Sequence, residues 1–239
     1  MNYAANKTVM LLAAGHGKRM LPLTNTTPKP LLKVGQLSLI EHHIVKLENA
    51  GFKHLVINIA HLGEQIQQCL GDGARFGIKI TYSSEIDDGP LETAGGILKA
   101  LPLIKSDSFI CINADIFTDY RFTELLDYSL EESVKGHLVL VKNPEHNPDG
   151  DFLINDQGLL AKRSNKTGYT YSGIAYYHRS LFQDLIAHKG TRADNKKLAL
   201  APLFHEWINK RYLGASLYHG AWTDVGTPER LQQLNLTMD

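Results

Sequence analysis

Apolar, β-branched runs alternate with helix-patterned segments from Val9 to Val141, and that alternation restricts the fold more than any other feature of the chain. Residues 9–12, 54–59, 78–83, 109–113 and 137–141 read as short strands. Ser38-Leu39-Ile40-Glu41 has the form of a capping box, and Ile40, Ile44 and Leu47 then recur on one helical face until Gly51 ends the helix. Further helices are expected over 62–70, 93–101 and 122–133, the second ended by Pro102. Strand–helix–strand units of this length predict an α/β fold, with a Rossmann-like, mostly parallel central sheet covered by helices on both faces. Ligands of such sheets bind beyond the carboxyl ends of the strands.

The pattern changes after residue 142. Residues 143–150 are rich in Pro, Asn and Asp and form a loop. The short runs 152–154, 159–162 and 169–177, separated by polar turns, suggest a small antiparallel insert or lid. Helices over 181–186 and 203–210 and a strand over 213–218 follow. Trp222-Thr223-Asp224-Val225-Gly226-Thr227-Pro228 then starts a last helix, with proline near its first position. With no internal repeat or low-complexity linker, residues 1–239 are expected to form one domain with halves 1–142 and 143–239.

Twenty-five Lys and Arg balance 25 Asp and Glu, so bulk charge makes no case for a nucleic-acid or membrane partner, and any anion site must be local. No stretch reaches the ~18 apolar residues of a membrane span. Residues 1–7 lack the apolar core of a signal peptide and read as a frayed tail, which leads to the expectation of a cytoplasmic protein. Cys69 and Cys111 lie in apolar contexts outside any CxxC and read as reduced, structural thiols.

The local anion site follows the first strand. Gly15 and Gly17 let the backbone approach a phosphate, and Arg19 and Lys29 bring full charges to the same loop. Met20 stands where a dinucleotide fingerprint needs its third glycine, and Arg19 and Pro22 break the P-loop pattern. The residues alone leave two readings, a phosphate loop of neither common type or a strand-to-helix turn with solvated charges. Asp115 at a strand end and Asp224 near the last helix are candidate ligands for Mg2+, which takes one or two carboxylates and completes its octahedron with phosphates and waters. Each alone reads equally as a turn or capping aspartate. The histidines show no metal pattern: His42 and His43 point apart on a helix, and His205-Glu206 lacks the second His of HExxH.

Gly15-x-Gly17-x-Arg19-Met20-x-Pro22-Leu23-Thr24, followed by Pro28-Lys29-Pro30-Leu31, resembles the signature loop of the sugar-1-phosphate nucleotidyltransferases. The resemblance implies the nucleotide-diphospho-sugar transferase fold and attack of a sugar 1-phosphate on the α-phosphorus of a nucleoside triphosphate. It implies Arg19 and Lys29 as catalytic cations. It also implies Asp115 and Asp224 as ligands of a catalytic Mg2+, with Ala114 standing where the family often has Gly. Ala13, Gly15, Gly17, Glu92, Gly95, Asn113 and Gly173 match its substrate-binding positions. Read without the family, Pro90-Leu91-Glu92-Thr93-Ala94-Gly95-Gly96 is a helix N-terminus capped by Thr93, and Gly173 a strand glycine at a close backbone contact. Lys162 matches the sugar-phosphate lysine without its usual neighbours, so a solvated strand lysine fits as well.

Stretches spread over nearly the whole chain, among them 90–97, 118–120, 138–152, 200–203 and 224–227, are similar to the family's uridylyltransferases of cell-wall sugar recycling. That likeness implies UTP and N-acetylmuramic acid 1-phosphate as partners of a monomer. Other hexose-1-phosphate nucleotidyltransferases, guanylyl or thymidylyl, stay open, because the residues do not decide base or sugar. A nucleotide-sugar glycosyltransferase is less well matched, since Asn113 stands where an Asp-x-Asp motif needs its first aspartate.

Overall fold

The computed structural model describes residues 4–89, 91–128, 130, 133–189 and 197–238. In chain order the strands are β1 (Thr8–Leu12), β2 (Lys33–Val34), β3 (Leu37–Ser38), β4 (His54–Ile59), β5 (Lys79–Ser84), β6 (Ser108–Asn113) and β7 (Ile116–Thr118). They continue as β8 (Gly136–Val141), β9 (Phe152–Ile154), β10 (Leu160–Lys162), β11 (Thr170–His178), β12 (Leu213–Tyr218) and β13 (Trp222–Asp224). The α-helices are α1 (Leu39–Asn49), α2 (Gly63–Leu70), α3 (Glu92–Ala100), α4 (Ser180–Lys189), α5 (Leu200–Asn209) and α6 (Pro228–Leu236).

Seven strands form the central sheet in the order β12-β8-β11-β6-β1-β4-β5. All its pairings are parallel except the two made by β11. Alternation of side chains along β1 sends Val9 and Leu11 into one core and Met10 into the other. Both faces are therefore buried, which is why this strand reads as a continuous apolar run. Ile40, Ile44 and Leu47 of α1 pack on the first face, and Ala94, Ile97 and Leu98 of α3 on the second. The capping box is formed: the Ser38 backbone N–H donates to the Glu41 carboxylate at 2.8 Å. Among the described residues, no helix is long and apolar enough to cross a membrane.

Four expectations need correction. Residues 169–177 are not part of an insert. They lie in β11, which runs antiparallel between β6 and β8 in the main sheet, and only β9 and β10 form the small separate pair. The expected helix over 122–133 is a 3-10 helix, Phe122–Asp127, whose buried residues Phe122 and Leu125 are three apart, as a three-residue turn requires; 129, 131 and 132 fall outside the described residues. Ala4 is buried in the first core within a short 3-10 turn, so the expected frayed tail does not reach past residue 3, and residues 1–3 lie outside the description. Cys111 is buried as expected, but Cys69 is exposed, because Ile66 and Leu70 carry the buried face of α2.

A third, smaller core explains how the two ends of the chain meet. Met20 from the glycine loop, Leu32, Val34, Leu39 and Val225 pack together. Burial of Val225 anchors the segment after β13 beneath the loop.

Candidate active site

The carboxyl ends of β1, β4, β5 and β6 open into a cleft of about 260 Å³. Ala13 and Gly15 line it from the glycine loop, Lys29 from the second part of that loop, Asn113 and Asp115 from the end of β6, and Glu92 from α3. The sheet thus gathers six sequence-predicted residues where an α/β fold places its ligands. The Ala114 N–H donates to the Leu12 carbonyl at 3.0 Å, and Lys29 Nζ lies 2.5 Å from Asp115 Oδ2.

Gly17 turns the loop in the left-handed region, at φ +63°, where a Cβ would also come within 2.9 Å of Thr24 Cγ2. The next residues, Lys18–Met20, form a 3-10 turn that buries Met20 and leaves Arg19 exposed, with no hydrogen-bond or ion-pair partner among the described residues. Gly17 and Arg19 flank the cleft and do not line it.

Asp224 reaches the site through β13, which pairs with β7 so that Asp224 faces Ile116. The Val225 N–H donates to the Asp115 carbonyl at 2.9 Å. Two aspartates far apart in sequence are thereby joined through the backbone, with Asp115 lining the cleft and Asp224 beside it, outside the lining. Asp224 Oδ1 lies 2.5 Å from Arg230 Nη1 and 3.0 Å from His146 Nε2. Among the described residues no group of three or more His, Cys, Asp or Glu is set to hold a metal. A pair of carboxylates is nonetheless what a Mg2+ bridged to phosphates requires.

Gly173 sits at φ +79° in an irregularity of β11, and a Cβ there would meet Asn113 Nδ2 at 2.7 Å. The irregularity is pinned by Trp222 Nε1, which donates to the Ser172 carbonyl at 2.9 Å. β13 therefore carries Asp224 and also fixes the backbone beside Asn113.

Gly95 is placed away from the cleft. The N–H groups of Ala94 and Gly95 donate to the Leu198 carbonyl at 2.9 and 3.1 Å, so they are not offered to a ligand. Thr93 is not the cap either. Leu91 precedes the helix, and Glu92 opens it at φ +60°. Pro90 falls outside the described residues. Lys162 is exposed on β10 and does not line the cleft.

Three polar lining residues were given no role in the sequence: His16, Asn58 and Glu85. Asn58 accepts from the Ala13 N–H at 2.8 Å and donates to Glu85 Oε1 at 2.7 Å, while Glu85 Oε2 accepts from the Leu91 N–H at 3.1 Å. One buried carboxylate therefore ties the glycine loop to the start of α3. Burial pushes the Glu85 carboxyl above its usual range, against the opposing pull of the Asn58 and Leu91 hydrogen bonds. Gly96 makes room for this link, since a Cβ there would lie 2.6 Å from Glu85 Oε1. The available signal was a lone polar residue near the end of each strand, Asn58 within β4 and Glu85 just after β5, which is indistinguishable locally from a turn residue.

With the site assembled, likeness to known proteins becomes decisive. The sequence pattern of the nucleotidyl transferase family matches residues 8–239. The chain belongs to that family. It is 43% identical to the N-acetylmuramate alpha-1-phosphate uridylyltransferase of Neisseria meningitidis serogroup B, over 94% of this chain and 95% of that one. It is 29% identical to a mannose-1-phosphate guanyltransferase of Saccharomyces cerevisiae, over 92% of this chain but only 61% of the longer yeast protein. The fold matches that of HddC from Yersinia pseudotuberculosis, solved with GMP-PN, at a TM-score of 0.77 and 19% identity, covering 98% of this chain and 100% of that one. As a member of the family this nucleotidyltransferase has its glycine loop, Lys29 and Asp115 gathered in one cleft.

Proposed function

We propose that this enzyme transfers a uridylyl group from UTP to N-acetylmuramic acid 1-phosphate, giving UDP-N-acetylmuramic acid and pyrophosphate, in cytoplasmic recycling of peptidoglycan sugars. The observation that carries the reading is the 43% identity to the Neisseria uridylyltransferase across nearly the full length of both chains. Residues 1–142 serve the nucleotide and 143–239 the sugar. All the candidate groups come from one chain, which suits a monomer.

The nucleophile is a phosphate monoester, largely dianionic at neutral pH because its second pKa is about 6, so it needs no general base. One of its oxygens attacks the α-phosphorus, the bond to the bridging oxygen breaks, and pyrophosphate leaves with that electron pair. The obstacle is the approach of two polyanions, so positioning and charge neutralisation carry the catalysis. Gly15 and Gly17 let the loop backbone come close to the triphosphate. Arg19, exposed and unpaired among the described residues, holds the departing phosphates. Lys29, buried against Asp115, is positioned for the α-phosphate and the incoming phosphate. Ala13, Glu92 and Asn113 line the cleft and are assigned to the nucleoside, and Gly173, packed against Asn113, is assigned to the sugar ring. Asp115 and Asp224 would hold Mg2+, which would neutralise phosphate oxygens as charge develops.

The deciding experiment measures pyrophosphate release with Mg2+ across UTP, GTP and dTTP against the 1-phosphates of N-acetylmuramic acid, N-acetylglucosamine, glucose and mannose. Release with UTP and the muramic sugar alone is expected. Preference for GTP with mannose 1-phosphate would instead make the enzyme a guanylyltransferase of the same mechanism. Release of UDP in place of pyrophosphate, from a nucleotide sugar and an acceptor, would mark a glycosyltransferase.

A further inference from the structure

N-acetylmuramic acid 1-phosphate differs from N-acetylglucosamine 1-phosphate by a lactyl ether that ends in a carboxylate. The residues above account for the phosphates, the nucleoside and the ring, and none accounts for a second anion on the sugar. A fixed cation on the sugar side of the cleft would select this sugar by a charge-assisted pair. Lys142 and Lys162 are exposed, and Arg163 is half-exposed beside the more exposed Asp149. Long, solvated side chains of this kind hold a carboxylate weakly, because ordering them offsets the Coulomb gain.

Arg230 is different. It projects from the first turn of α6, whose N-cap Thr227 accepts the Arg230 backbone N–H at 3.4 Å. Its side chain is only 18% exposed. The guanidinium lies against the Gly226 backbone, where a Cβ would come within 3.0 Å of Cζ and closer still to Nη2. Among the described residues its side-chain hydrogen bonds run through Nη1 alone, to Asp224 Oδ1 at 2.5 Å and to the His146 ring at 3.0 and 3.2 Å. The two N–H groups of Nη1 are thereby taken up by Asp224 and the His146 ring. Nε and Nη2 keep three N–H donors in the planar fork that fits a carboxylate in two parallel bonds.

The position is also on the sugar side. His146 belongs to the loop that follows β8, and Asn143 and Asn147 of that loop bond Thr170 Oγ1 at 2.9 and 3.1 Å. Thr170 opens β11, the strand of Gly173. Arg230 therefore stands between Asp224 and the loop tied to the strand that carries Gly173.

We infer that Arg230, steadied by Asp224, Gly226 and His146, is the specificity-determining residue that binds the substrate's lactyl carboxylate. This rests on the muramic-acid reading above. The test is kcat/KM with UTP for the 1-phosphates of N-acetylmuramic acid and N-acetylglucosamine, in the wild type, Arg230→Ala and Arg230→Lys. Arg230→Ala should reduce the ratio of the two values by about 10- to 100-fold, the usual worth of a charge-assisted pair, and Arg230→Lys should restore part of it. Equal losses on both sugars would overturn the inference and leave Arg230 as a support for Asp224. A second arm needs no substitution in the protein: the lactyl methyl ester of the muramic substrate, given to the wild type, should show a comparable loss, and undiminished turnover would overturn the inference even if the variants fail to fold. A wild type that uses GTP, or ignores the muramic sugar, overturns the functional reading first and this inference with it.

Discussion

Lys29 Nζ and Asp115 Oδ2 lie 2.5 Å apart, with the lysine side chain 9% exposed and the aspartate 36%. Two groups assigned to substrate and metal thus neutralise each other in the free protein. The pairing fixes the lysine near the end of β6, where an unpaired charge would be costly to bury.

Replacing either partner should damage chemistry more than stability. Lys29→Ala and Asp115→Asn are each expected to lower turnover by about 100-fold or more, through loss of transition-state charge neutralisation. Because Asp115 is partly solvated, the coupling energy in a double-mutant cycle should be only about 1 kcal/mol by urea denaturation. Near-normal turnover in a folded single variant would remove that residue from the mechanism.

Arg19 is exposed and unpaired among the described residues, so Arg19→Ala should leave the unfolding midpoint unchanged. KM for the triphosphate is expected to rise about tenfold or more, with little change in KM for the sugar phosphate. Initial-rate kinetics with each substrate varied will separate these effects.

The buried Glu85 carboxyl has its pKa raised in the folded state. A raised carboxyl contributes stability that is fully present below its unfolded pKa, about 4.5, and is lost as pH rises through the folded value. Glu85→Gln should therefore flatten that portion of the stability–pH curve. Asn58→Ala should cost about 1–3 kcal/mol, because it strands the Ala13 N–H and the Glu85 carboxylate. Both are read by chemical denaturation across pH.

His43 carries the opposite sign. Burial lowers its pKa to about 4, while its Nε2 bonds the Ile116 carbonyl at 2.9 Å. Its stabilising contribution is present above the unfolded value of 6.5 and is lost as pH falls toward 4. His43→Gln should weaken the acid sensitivity in that window, and an unchanged slope would move the sensitivity elsewhere. At lower pH, Glu41 takes over: burial raises its carboxyl, but Ser38, Arg75 and Lys33 together bring it down to about 2.

The central sheet was legible because strands buried on both faces write unbroken apolar runs, as Val9 to Leu11 do, and helices with one buried stripe write Ile40, Ile44, Leu47. The meeting of the glycine loop with Asp115 followed from strand order, since both lie at the ends of adjacent parallel strands. β11 was misread because two short neighbouring runs made it look like part of their hairpin, and pairing partners leave no local mark. The same limit hid Leu198, whose carbonyl takes the first amides of α3 from far along the chain and turns Gly95 away from the cleft. Asn58 and Glu85 were silent for a related reason: a single polar residue near a strand end has the same composition whether it turns the chain or supports a floor.

The pairing of β7 with β13 also bears on when the enzyme becomes active during synthesis. A ribosome that has released the first 150 residues has delivered the glycine loop, Lys29 and Asp115, but neither Asp224 nor Trp222. Contacts this distant in sequence form late, after most of the chain-ordering entropy has been met. On the role proposed for Asp224, the nascent protein would assemble a place for a nucleotide well before it could use one, and would stay inert toward cellular triphosphates until β13 docks.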